Sequence, residues 1–471
     1  MVARASRLGR LYKWPGIIHF AVFKDSAVFK MSHKHLFVPA LVAAAMILQP
    51  AQADETLKDA VAADLSYLHD LYIELHRNPE LSYHEEKSSA RLAAELRGLG
   101  FEVTEKVGGF GIVGVLENGP GPTVLIRADM DALPVKELTG LDYASLVTTL
   151  NDDGLEVPVM HACGHDIHMT VFVGTARRLV AMKGQWAGTL VMIGQPAEER
   201  GAGARAMLED GLFERFPRPD YNIALHTSSF LPAGMVGIPP GWAFANVDSV
   251  DITVRGIGGH GSTPHMTKDP IVLAAQIILS LQTIVSREIS PQEPAVVTVG
   301  SIHGGLKHNI ISDEVKLQIT VRSYSDEVRA KLLAAIERIA VNAGRVAGLP
   351  EDLLPIYYLH EEEATPSTYN DPQLSARLMT ILADVASGGV IRTPPVMGGE
   401  DFSRYGRDEP KIPSVIFWLG GVDPAKFEAA QRDGTQLPSL HSPLFAPLPD
   451  PTITTGVNVM TTAALDLFEN P

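Results

Sequence analysis

A succession of apolar runs that deliver polar residues at their C-terminal ends constrains this chain more than any bulk property does. TVLIRADMDALPV (123–135) begins as a buried strand and closes in an acidic turn. GTLVMIGQPAEER (188–200) repeats the plan, with a Gly-Gln-Pro break followed by two glutamates. DYNIALHTSS (220–229) closes on a histidine, and PSVIFWLGG (413–421) is a fourth run. Runs of this length bounded by glycine and proline read as strands. Open α/β sheets collect their sites at such strand ends. DAVAADLSYLHDLYIELHRNPEL (59–81) reads as an amphipathic helix ending before Pro79. Strands alternating with helices predict an α/β fold with a largely parallel sheet.

Between about residues 247 and 360 the texture changes. VDSVDITVRG, AVVTVGSIHG and EVKLQITVRS alternate as half-buried strands, while DPIVLAAQIILSLQTIVSRE and DEVRAKLLAAIERIAVNAGRVAG read as long helices. This pattern predicts an α+β sandwich inserted into a larger domain made of residues 54–246 and 361–471. Two helices on one face of a small antiparallel sheet leave an edge strand open. Such an edge invites a partner, so a homodimer or higher homo-oligomer is expected. A chain of 471 residues exceeds the usual single-core limit, in keeping with two domains.

The N-terminus reads as an address. From Met31, a short basic start leads through an apolar run to Ala51-Gln52-Ala53, the small-residue pattern of a secretory cleavage site. Cleavage after Ala53 would export the protein to the periplasm or the medium. An uncleaved anchor is the alternative, although the run is short for a membrane span. Residues 1–30 look like neither signal nor domain, and translation from Met31 is the simplest reading. The first 53 residues carry seven Lys/Arg and one Asp, so their removal deepens the net charge from −16 to −22. Such a surface repels phosphate backbones, and nucleic acid is a poor partner.

HACGHDIHMT (161–170) packs three histidines, the only cysteine and an aspartate into ten residues. A lone cysteine makes no intramolecular disulfide, so Cys163 needs another role. Beside two histidines and an aspartate, a metal thiolate is a better reading than an inert buried thiol. Metal ligands or acids stand at four strand ends: Asp129 and Asp131, Cys163 and His165, Glu198 and Glu199, and His226; His441 offers a fifth position. A thiolate, several imidazoles and carboxylates exceed the needs of one tetrahedral ion. Two ions with a bridging ligand is the economical reading. Donor softness makes zinc the first choice, with manganese, cobalt or nickel as alternatives. The adjacent glutamates suit divided labour, one binding metal while the other shuttles protons. His161 and His168 stay unassigned, as packing or supporting residues.

In order along the chain stand HRNPELSYHE (76–85), IRADMDALPV (126–135), MHACGHDIH (160–168), GQPAEE (194–199), ALH (224–226), GIGGHGSTPH (256–265), HNIISDEV (308–315), GGEDFS (398–403) and HSPLF (441–445). With these motifs the chain resembles the hippurate hydrolase and indole-acetyl-amino-acid hydrolase group of the aminoacylase/carboxypeptidase family of two-metal hydrolases. The resemblance implies a zinc-peptidase-like catalytic domain with a mixed, largely parallel sheet and an inserted lid and dimerisation domain. It also implies that Cys163, His165, Glu199, His226 and His441 are the metal ligands, with the thiolate bridging. Glu198 matches the general acid/base, and Asp131 an aspartate that supports a metal-site residue. Asp129 falls where other branches place a ligand histidine, so its role stays open. His260 matches a histidine that reaches the substrate, often across a dimer. Asn309 and Arg322 are candidates for gripping carbonyl or carboxylate groups, or else structural residues. Gly399 and the Leu306-Lys307-His308 stretch depart from the family's common residues, and both bear on the substrate pocket.

The expected activity is metal-dependent cleavage of the amide bond of an N-acyl-amino acid. A carboxypeptidase or dipeptidase acting on short peptides is the alternative. A binding protein on a degenerate scaffold would have lost Glu198 or a ligand, and metal storage would call for more cysteines. Neither pattern is present.

Overall fold

The computed structural model describes the backbone from Gln49 and side chains from Leu57 to the C-terminus. The leader expected over residues 1–53 falls mostly outside the described residues. The first helix is Gln49–Arg77, starting earlier than the periodicity predicts and stopping, as expected, before Pro79. Proline's missing N–H and its steric restriction of Asn78 explain the stop.

The main sheet has eight strands in the order Glu102–Val107, Gly111–Asn118, Gly188–Gln195, Thr123–Asp129, Tyr221–Pro232, Ser414–Val422, Val236–Ile238 and Val390–Arg392. Its four middle strands are mutually parallel and coincide with the four apolar runs of the sequence. The hairpin at one edge joins antiparallel. Burial on both faces explains the unbroken apolar composition: Val124 and Ile126 enter one core, Leu125 the other. The first core also holds the Gln49–Arg77, His165–Ala181 and Pro449–Glu469 helices, through residues such as Tyr72, Phe172 and Met460. Parallel strands bring their C-terminal ends to one rim, so Asp129, Gln195 and the residues that follow them emerge together.

The inserted layer is a separate antiparallel sheet in the order Ala295–Gly304, Glu314–Ser323, Asn246–Arg255 and Ile356–Leu359. The last strand is short and escaped the sequence reading. Along Asn246–Arg255 burial alternates residue by residue. Val250, Ile252 and Val254 pack with Leu273, Ile277, Leu332 and Ile336 of the helices Pro270–Thr283 and Asp326–Val346. Asp269 and Ser325 cap those helices by accepting from Ile271 N and Val328 N. The chain enters and leaves this layer side by side, since Val247 and Thr365 exchange backbone hydrogen bonds of 2.9 and 3.0 Å.

Candidate active site

The site grows from the rim of the main sheet. Asp129 ends its strand, and Asp131 follows two residues later, fully buried. Cys163 and His165 flank Gly164, whose φ of +84° starts the His165–Ala181 helix. A Cβ at Gly164 would stand 3.0 Å from the Thr227 side chain, so only glycine lets this turn approach the strand that carries His226. Glu198 and Glu199 lie on a single 3-10 turn after Ala197, a non-glycine residue at φ +48°. His441 reaches the site from the C-terminal segment, also with positive φ.

These side chains converge. Cys163 Sγ lies 3.5 Å from His226 Nε2, and His441 Nε2 lies 3.5 Å from Glu199 Oε2. His165 Nε2 is 3.9 Å from both Glu198 Oε2 and Glu199 Oε1. Donor atoms of Cys163, His165 and His226 form one group that fits an ion, and those of Cys163, Glu199 and His441 form a second. Cys163 belongs to both. That is the geometry a bridging ligand requires.

The donors are also presented as ligands. His165 Nδ1 is held at 2.8 Å by Asp131 O, and His226 Nδ1 at 2.8 Å by Thr227 O. Each ring therefore keeps its proton on Nδ1 and turns an Nε2 lone pair to the centre. His165 Nε2 and Glu199 Oε1 are buried with no hydrogen-bond partner among the described residues. Orphans of this kind are costly unless a cation meets them. Burial, then the charges of Glu199 and Glu198, push the Cys163 thiol well up, so it takes a cation to make this sulfur a thiolate. The residues fit a pair of divalent ions.

Asp131 is not among the grouped donors. Its carboxylate accepts from Glu198 N at 3.2 Å, Glu199 N at 3.0 Å and Ser82 Oγ at 2.6 Å, so it holds the glutamate turn. Asp129 accepts from Arg127 at 2.6 Å and from His168 Nδ1 at 2.6 Å, while His168 Nε2 accepts from Thr227 N at 2.7 Å. His168 thereby ties the Asp129 rim to the His226 strand. Burial, then the charges of Glu400, Glu199 and Asp401, raise Glu198 well above the usual carboxylate range. That is the direction a proton acceptor needs.

Glu85, Arg127, Glu400 and Asp401 belong to this network and went unassigned in the sequence. Glu85 accepts from Ala197 N at 2.8 Å. Arg127, fully buried, meets Glu400 at 2.8 Å and Asp401 at 3.2 Å as well as Asp129. Each lies inside a quoted motif, and motif membership was the only signal available.

A cavity of about 900 Å³ opens over the centre. Cys163, Glu198, Glu199, His226 and His441 line it, with Arg322 from the inserted layer. Phe230, Phe244, Val396 and Trp418 add apolar wall. Arg322 donates to Thr320 Oγ1 at 3.1 Å and Met397 O at 3.2 Å and has no carboxylate partner among the described residues. His260 and Asn309 do not line this cavity. They stand exposed together in the inserted layer, where Gly261 N donates to Asn309 O at 2.9 Å and Ser262 Oγ lies 2.7 Å from His260 Nδ1. Within one chain, then, the structure brings eight of the ten candidate residues to the centre or its cavity and leaves these two apart.

Residues 125–434 match the model of the peptidase family M20/M25/M40. This chain belongs to that family. It is a metallohydrolase of a family whose members act on amide bonds. Among its M20 relatives, thermostable carboxypeptidase 2 of Saccharolobus solfataricus is 38% identical over 370 residues, 78% of this chain and 88% of that one. The hippurate hydrolase of Campylobacter jejuni is 41% identical over 257 residues, 54% of this chain and 64% of its own. A crystal structure of a dinuclear metal-binding M20 peptidase from Bacillus subtilis superimposes with a TM-score of 0.69 at 27% identity, covering 87% of this chain and all of that one. The M20 fold and the resemblance read from the motifs are both borne out.

Proposed function

We propose that this M20 hydrolase cleaves the amide bond of N-acyl-amino acids, hippurate-like or related conjugates. One observation carries the reading. The cavity over the metal-ligand groups joins an apolar wall (Phe230, Phe244, Trp418) to an arginine without a carboxylate partner, Arg322. An apolar acyl group suits the wall, and a free carboxylate suits the guanidinium.

Cys163, His165, Glu199, His226 and His441 would hold two divalent ions, zinc by donor softness, with manganese, cobalt or nickel as alternatives. Such ions supply Lewis acidity, acidifying water and polarising a carbonyl. Glu198 takes the proton from the attacking water and passes it to the leaving amine. Asp131 orients both glutamates through their backbone amides. Arg322 orients the substrate carboxylate.

His260 and Asn309 enter this reading through a second copy of the chain. Among the described residues, the outer strand Ala295–Gly304 leaves one edge of the inserted sheet unpaired. Beside it, Val272, Leu279, Ile302 and Leu306 are exposed, Leu306 to 94%. An open edge with apolar neighbours suits a homodimer, in which the partner's inserted layer completes the site with a donor for the developing oxyanion. Export with cleavage after Ala53 belongs to the same proposal.

A panel of N-acyl-amino acids, their carboxamides and dipeptides, assayed on the metal-loaded protein, tests the substrate class. Preference for acyl-amino acids over dipeptides, lost on amidation, is expected. Preference for dipeptides would favour the carboxypeptidase reading, which the relative named thermostable carboxypeptidase 2 supports.

A further inference from the structure

Beside the paired crossing strands at Val247 and Thr365 lies a second cavity, of about 440 Å³. Arg205, Arg329, Arg404 and Arg407 line it, together with Asn246 and Thr365. Four guanidiniums around one cavity run against the grain of a chain with net charge −16. Two of them are neutralised: Arg329 pairs with Asp248 at 2.6 Å, and Arg407 with Asp326 at 2.9 Å.

The other two are not. Arg205 donates only to backbone carbonyls, Glu361 O at 3.3 Å and Glu362 O at 2.6 Å. Arg404 donates to Ala364 O, and its Nε is buried with no partner among the described residues. Neither has a carboxylate within ion-pair distance among the described residues. Burial lowers the pKa of Arg404; the charges of Asp401 and Glu209 pull the other way, and those of Arg205 and Arg407 add to the lowering. Two carboxylates also border the cavity, but Asp326 is engaged by Arg407 and Glu361 is exposed to solvent.

We infer that this cavity binds a phosphoryl group, as free phosphate or as a small phosphomonoester, held between Arg205 and Arg404. Two planar forks match a tetrahedral dianion, whose several oxygens accept from both at once. A lone carboxylate offers one charge and two oxygens. The volume exceeds what a phosphate fills and lies in the range of small-molecule sites. The lining comes from both bodies, Arg205 and Arg404 from the catalytic domain and Asp326 and Arg329 from the inserted layer. Arg205 lines the main cavity too, so occupancy reaches the catalytic centre through one side chain.

Calorimetric titration of the metal-loaded full chain with inorganic phosphate, and separately with glycerol 3-phosphate, tests the site. Arg404→Gln should weaken binding about tenfold, the loss expected for one charge-assisted contact. Asp326→Asn should tighten it severalfold by releasing Arg407. Phosphate held at the metal centre is common to all three proteins, so only the component that moves in both directions belongs here. Tighter binding of the phosphomonoester would assign the remaining volume to its organic part, and equal binding would assign the site to free phosphate. Binding that ignores both substitutions overturns the proposal, as does the absence of saturable binding. Should Arg404→Gln fail to fold, an unchanged affinity in Asp326→Asn is enough to overturn it.

Discussion

Glu85 Oε1 accepts a hydrogen bond from Ala197 N at 2.8 Å, across 112 residues of sequence. With the two amides that Asp131 accepts, three successive N–H groups, those of Ala197, Glu198 and Glu199, end on buried carboxylates. Ala197 sits in left-handed backbone, a conformation that non-glycine residues keep only when their surroundings hold it. The Glu85 anchor thus fixes the turn that aims both glutamates. Glu85→Ala is expected to cost about 1–3 kcal/mol of stability for the lost buried acceptor. It should also lower kcat by about tenfold to a hundredfold with little change in KM, since small misplacements of reacting groups are costly. Glu85→Gln keeps an acceptor oxygen and should restore most of the activity. Chemical denaturation and steady-state kinetics on the three proteins check this. An alanine variant that loses stability but keeps full kcat would make Glu85 a structural residue only.

Glu198→Gln should retain both metals, since the ligand groups are complete without it, yet lose about 10²–10⁴-fold in turnover. Metal analysis beside kinetics separates the two effects. Near-normal turnover in a metal-replete variant would remove Glu198 from the proton path.

Cys163 is buried and stands in both ligand groups. A thiol reagent should modify it quickly only after chelation, because a coordinated sulfur is withheld from reaction. Equal rates with and without metal would contradict a ligand role.

His260→Ala is expected to lower kcat strongly while leaving metal content and folding intact. Because His260 stands outside the cavity of its own chain, mixing Glu198→Gln with His260→Ala should restore part of the activity through mixed dimers holding one intact site. Silence after verified subunit exchange would place His260 in its own chain's site or outside catalysis.

His76 contacts Asp166 of the His165–Ala181 helix at 2.6 Å and Glu137 at 3.2 Å in a buried cluster. Burial alone would lower this imidazole, but the two carboxylates override it and carry it to about 9. A folded pKa above the unfolded value stabilises the fold fully below about pH 6.5, and that stability is lost as pH rises through 9. The contribution is about 3 kcal/mol at most by linkage. Urea midpoints from pH 6 to 10 should fall for the parent protein and fall less for His76→Gln. Parallel slopes would show that His76 is neutral in the folded state.

Much of this protein was legible in its sequence because the signals are local. Strands buried on both faces must be continuously apolar, so the four middle strands announced themselves, and parallel strands must deposit Asp129, the glutamate pair and His226 on one rim. The alternation in Asn246–Arg255 likewise marked a half-buried sheet. The three-residue strand Val390–Arg392 and the four-residue strand Ile356–Leu359 were too short to carry a period. What the tertiary structure alone decided is which distant groups meet. Arg127 finds Glu400 across 273 residues, and Glu85 finds Ala197 across 112. No local pattern encodes those pairings, since each depends on which distant segments the packed sheet and helices bring together. The same holds for His260 and Asn309: their residue types suit the chemistry, but their distance from the cavity is set by how the inserted layer stands on the main sheet. Sequence specified the donors and the strands that carry them, because residue type and periodicity are properties of the chain. Packing decided which donors share a centre, because proximity between far segments exists only once the cores have closed.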